Sequence, residues 1–169
     1  MVKIKNVSYE VELYSPMCAW LKTKLLDKYK NQDCEIYAID CHARALDAVL
    51  EEYGILDYYP QSVGLGIQID VLGIAKFANK ADIFFIEAKK ESLNLHHLGQ
   101  LWAYCKLCNP LEAYLLSSAG LGSLDKILKN LGRTDLLDFG FNQENKKIVV
   151  ARWDIQRDSV DYHSAIPQI

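Results

Sequence analysis

Two short apolar runs, each edged with charge and joined by a polar turn, constrain this chain more than any other feature. The first is Ile69-Asp70-Val71-Leu72-Gly73-Ile74; the second is Asp82-Ile83-Phe84-Phe85-Ile86-Glu87-Ala88-Lys89. Runs this short, rich in β-branched and aromatic residues, read as strands. The link, residues 76–81 with Asn79-Lys80 near its centre, suits a tight antiparallel hairpin. With the turn centred between Ala78 and Asn79, Asp70 falls opposite Glu87, to within about two residues. Side chains alternate along a strand, so Glu87 and Lys89 share a face. Asp70 joins them if that register holds.

Two carboxylates and one ammonium at the end of a hairpin form a costly group. Like charges at close range raise a carboxylate's pKa or demand a cation. Mg2+ is suited to such a place, because it takes one or two carboxylates together with water and phosphate oxygens. It lowers the pKa of bound water and polarises a phosphoryl oxygen. Lys89 would orient the nucleophile or offset transition-state charge. The plainer reading is that the strand simply emerges into solvent at Glu87, since Glu-x-Lys alone is common. Its position at the end of Ile83-Phe84-Phe85-Ile86 favours the functional one, because buried charges are paired or bind metals.

Asp70, then Glu87-Ala88-Lys89, then Gln100-Leu101-Trp102-Ala103-Tyr104 on the next helix, resembles the PD-(D/E)XK nuclease superfamily, the restriction-endonuclease-like fold. Ile69 stands where the name has proline. The resemblance spans residues 8–118 and implies an α/β fold, a mixed β-sheet flanked by helices with a catalytic β-hairpin. It implies a metal-dependent nuclease hydrolysing DNA phosphodiester bonds, with Asp70 and Glu87 as ligands of Mg2+, for which Mn2+ would substitute. Lys89 and Gln100 would be catalytic and Tyr104 would contact DNA. Families of this type add a first-helix glutamate. Glu12, just before Leu13-Tyr14-Ser15-Pro16, competes for that role with Glu51, which shares a helix face with Asp47. Glu12 is preferred, because the 41–54 helix reads as an insertion. A second function on the same scaffold is a catalytically inactive DNA- or protein-binding subunit.

The 169 residues suffice for one domain, 1–169, with a substantial core. A net charge of −3 is not the footprint of bulk electrostatic DNA binding. It points to local contacts, a homodimer, or a subunit of a larger complex. No apolar run is long enough for a bilayer and no signal-like segment opens the chain, so a cytoplasmic protein without a membrane role is expected. The five cysteines, Cys105 and Cys108 among them, read as reduced and inert.

Along the chain, residues 6–13 read as a short strand or lead-in. A helix follows from Ser15-Pro16 to Lys30, then a strand over 34–40 and a helix over 41–53. Residues 55–66 read as an irregular loop. After the hairpin come a helix capped by Ser92 and running to Cys108, a strand over 112–117 and a short helix from Ser123. Residues 135–141 and 146–153 read as a terminal hairpin, and the polar tail 157–169 as loosely packed. On the Cys108-ending helix the inward stripe reads as Leu98, Leu101, Trp102 and Cys105, with His96, Gln100 and Tyr104 on a shared face.

Overall fold

In the computed structural model, which describes residues 4–169, the two apolar runs pair at the centre of one six-stranded sheet. Strands β1 (Glu35–Asp40), β2 (Val71–Lys76) and β3 (Ala81–Lys89) form an antiparallel meander. Strands β4 (Glu112–Ser117) and β5 (Val149–Asp154) add in parallel, and β6 (Ser159–Ile166) returns antiparallel. The result is an α/β fold with an open mixed sheet in the order β1-β2-β3-β4-β5-β6.

Helix α1 (Tyr14–Lys28) lies on one face and buries Met17, Leu21 and Leu25 against Val71, Ala75, Phe84 and Ile86. The approach is close: a Cβ on Gly73 would stand 2.8 Å from Leu21 and 3.0 Å from Leu25. The other face is covered by α2 (Leu46–Glu52), α3 (Leu95–Cys108) and α4 (Ser123–Asp125), which continues as a π-helical turn, Lys126–Asn130. Leu50, Leu98, Leu101, Cys105 and Leu128 pack there with Leu72, Ile74, Ile83 and Phe85. Burial on both faces explains why β2 and β3 read as unbroken apolar runs. Among the described residues, no helix is long and apolar enough to cross a membrane.

Four elements differ from the sequence reading. Residues 6–13 are not a strand; Glu10–Leu13 form a 3-10 turn that runs into α1. The Glu12 carboxylate accepts from the backbone N–H groups of Ser8 and Tyr9, both at 2.7 Å, and so starts that turn. The α1 helix therefore begins at Tyr14, and Pro16 sits in its first turn, where no intrahelical donor is required. Helix α2 is shorter than expected, and α3 is capped by Asn94, whose side chain accepts from His97 N–H, instead of by Ser92.

The C-terminal hairpin also shifts. Residues 138 and 147 make one isolated bridge, while the tail forms β6 and pairs with β5. Asp154 drives this turn by accepting from Gln156 N–H at 2.9 Å and Arg157 N–H at 3.3 Å. Val160, Ala165 and Ile166 then bury on the sheet.

Candidate active site

The hairpin register is Lys76↔Ala81 through Val71↔Ile86. Its continuation sets Asp70 opposite Glu87. Backbone pairing between β2 and β3 stops there, while β3 continues against β4 to Lys89↔Ser117. The end of β3 is thus open on its β2 side. Asp70 fills part of the opening, because its Oδ2 accepts from Ala88 N–H at 2.8 Å. A side-chain oxygen has replaced the backbone acceptor that a longer β2 would supply. The Asp70 main chain is held in turn by Cys41 N–H, which donates to its carbonyl at 3.0 Å.

Around this point the structure collects three carboxylates and one ammonium. Lys89 Nζ donates to Glu87 Oε1 at 2.9 Å and lies 3.8 Å from Glu10 Oε1. The Glu87 side chain is 6% exposed and that of Lys89 15%. Glu87 Oε2 is buried with no hydrogen-bond partner. Tyr14, the first residue of α1, places its hydroxyl 3.4 Å from Glu10 Oε1, and burial and the nearby Asp70 charge raise its pKa.

Charge and burial act together on these groups. Burial and then the Asp70 charge push Glu87 up to about 7, against the opposing pull of Lys89. Asp70 is also raised, chiefly by burial, although Ala88 N–H and Lys89 work the other way. Burial disfavours the charged form of Lys89, but Glu87, Glu10 and Asp70 outweigh it and raise its pKa. Lys89 is therefore held as a cation and cannot act as a proton acceptor near neutral pH.

Asp70, Glu87 and Lys89 are thus brought together as the sequence predicts. Glu12 is not among them, because its carboxylate is spent on the backbone of the turn it caps. Glu10, two residues earlier, takes that place. It is also tied to the end of β3 by Lys90 N–H, which donates to Glu10 Oε2 at 3.1 Å. One signal could have found it: a glutamate three residues into a capped turn folds back onto the cap, leaving its neighbour free. Glu51 is exposed on α2, and Asp47 holds the following loop by accepting from Gly64 N–H at 2.9 Å.

Gln100 and Tyr104 share a face of α3, where Gln100 Nε2 lies 3.4 Å from the Tyr104 hydroxyl. Gln100 is exposed and Tyr104 half-buried against the core. Among the described residues, neither makes a hydrogen bond to Asp70, Glu87 or Glu10. Trp102 is not part of the inward stripe. It is partly exposed, and its indole N–H donates to the Asp138 carbonyl at 2.8 Å. Cys105 and Cys108 are buried free thiols with pKa values raised by burial.

Among the described residues, no three His, Cys, Asp or Glu side chains form an all-protein metal cage. The donor set fits a hard, water-bearing cation better than zinc. Asp70 and Glu87 are oxygen donors, and Glu87 Oε2 is an orphaned buried acceptor. Mg2+ commonly binds through one or two carboxylates and fills its remaining positions with water and phosphate. No protein-family model, curated protein or solved structure matches this chain.

Proposed function

We propose that the chain is a Mg2+-dependent nuclease of the PD-(D/E)XK type, with a restriction-endonuclease-like fold, acting on DNA. The observation that carries this reading is the open end of β3, where Asp70, Glu87 and Lys89 converge and one buried carboxylate oxygen lacks a partner. The mixed sheet flanked by helices, with the paired strands at its centre, supports the same reading. Asp70 and Glu87 would hold the metal. When bound, Mg2+ supplies a more acidic water and a polarised phosphoryl oxygen.

The protein's own residues have separable tasks. Ala88 N–H fixes one oxygen of Asp70, leaving the other for a ligand. Lys89 fixes Glu87 Oε1 and leaves Oε2. As a persistent cation, Lys89 offsets charge that builds on the phosphoryl oxygens in the transition state. Glu10 balances Lys89 from the opposite side. Exposed Gln100 and the hydroxyl of half-buried Tyr104, which lie together on α3, would contact the rest of the substrate.

The test is a cleavage assay on supercoiled, linear duplex and single-stranded DNA with Mg2+ or Mn2+, run beside EDTA and Lys89→Ala. Metal-dependent cutting that disappears in the variant is expected. Cutting that survives Lys89→Ala would sink the assigned chemistry. No cutting on any substrate together with no Mg2+-dependent rise in melting temperature would favour the binding-subunit reading.

A further inference from the structure

Tyr14 and a pair of residues behind it have no part in the reaction as described so far. Tyr14 is 6% exposed. Its hydroxyl donates toward Glu10 Oε1 at 3.4 Å, and the Asp70 carboxylate lies near enough to bear on its ionisation. A phenol has one proton to donate, and both neighbours are acceptors when ionised. Its ring is held from outside by His42, whose imidazole centroid lies 4.8 Å away. His42 is fixed in turn by Asp40, with Nδ1 at 2.5 Å from Oδ1. Asp40 ends β1 and pairs with Val71, the residue after Asp70. The chain of contacts Asp40–His42–Tyr14 therefore starts and finishes beside the same carboxylate.

Resting on the metal-site reading above, we infer that Tyr14, anchored on Glu10, is a positioning residue that orients the Asp70 carboxylate for the cation, and that His42, clamped by Asp40, acts through Tyr14 by fixing its ring. An outer partner that holds a ligating carboxylate typically changes metal affinity about 10–100-fold when removed. A purely structural tyrosine would leave that affinity alone once the fold is intact.

The experiment is a Mn2+ titration followed by electron paramagnetic resonance on the full chain, with no nucleic acid present. It compares wild type, Tyr14→Phe, His42→Ala, their double variant and Asp70→Asn, each checked for fold by circular dichroism. Tyr14→Phe keeps the ring and its stacking and is expected to weaken Mn2+ about tenfold. His42→Ala is expected to weaken it less, and to add nothing in the Tyr14→Phe background. Unchanged affinity in a folded Tyr14→Phe overturns the inference while leaving the metal site standing. An equal effect of His42→Ala in both backgrounds overturns the coupling through Tyr14. If Tyr14→Phe does not fold, His42→Ala decides alone, because the exposed imidazole can be removed without opening the core; unchanged affinity then overturns the inference. Failure of wild type to bind Mn2+ overturns the proposed function and this inference with it.

Discussion

Each end of β3 gathers an acid, a lysine and a tyrosine from an end of the α1 segment, Tyr14 opening the helix and Tyr29 following it, yet the two ends of the strand are not alike. At the turn end, Asp82 accepts from the Tyr29 hydroxyl at 2.8 Å, with Lys80 Nζ at 4.0 Å and 60% exposed. One carboxylate meets one phenol and a solvated cation, and no buried polar atom there is left without a partner among the described residues. At the open end, Glu87, Asp70 and Glu10 share one lysine and one phenol, and Glu87 Oε2 has no partner. The first arrangement is what structure alone requires. The second carries excess negative charge in a buried place, which is costly unless a cation completes it. Strained or under-satisfied groups of this kind concentrate where function needs them.

The sharpest way to break this contrast is Lys89→Ala. Loss of one electrostatic stabiliser is expected to lower cleavage by about 100–1000-fold, or about 2.7–4 kcal/mol, while Mn2+ still binds. Single-turnover rates check it, and a rate near wild type would make the open end as ordinary as the turn end. Next in size is the response to metal. At about 100 times its Kd, Mg2+ should stabilise the wild type by about 2.7 kcal/mol, and this gain should vanish in Asp70→Asn. Thermal melts with and without Mg2+ measure it.

Asp82→Asn supplies the control at the other end. Weakening its bond from Tyr29 should cost about 1–2 kcal/mol of stability and leave the Mg2+ response unchanged. A pH series sharpens the comparison further. Because the folded pKa of Glu87 is raised from 4.5 to about 7, the folded state holds that proton more tightly than the unfolded chain. The metal-free protein should therefore lose stability as pH rises through that window and level off above it. Mg2+ affinity should rise over the same range, since the metal displaces the proton. Glu87→Gln should flatten the stability slope, which denaturant melts across pH would reveal.

The smallest effect separates the two acids of the entry turn. Glu12→Ala should cost about 1 kcal/mol of stability as a lost cap with cleavage kept, whereas Glu10→Ala should lower cleavage with little loss of stability. The reverse pattern would restore Glu12 to the site.

The turn end and the open end were not equally legible in the sequence. The hairpin register could be read because a short turn centred between Ala78 and Asn79 fixes which residues of the two strands face each other. That register alone brought Asp70 to Glu87 and Lys89. Glu10 was not legible, since choosing between Glu10 and Glu12 depends on which one caps the turn, a matter of backbone geometry two residues apart. Strand β6 was missed because its buried residues, Val160, Ala165 and Ile166, are spread among polar ones and its pairing shifts register at an irregularity. Hydrophobicity alone turns Trp102 inward, but its N–H needs a partner, and the Asp138 carbonyl supplies one.

The central claim is that the open end of β3 is built to be completed by a cation. Anomalous diffraction from crystals soaked in Mn2+ tests it most directly. The peak is expected about 2.1 Å from Glu87 Oε2 and from the Asp70 oxygen not bonded to Ala88 N–H. Ordered Asp70 and Glu87 side chains with no peak between them, at a concentration that saturates binding in solution, would contradict it.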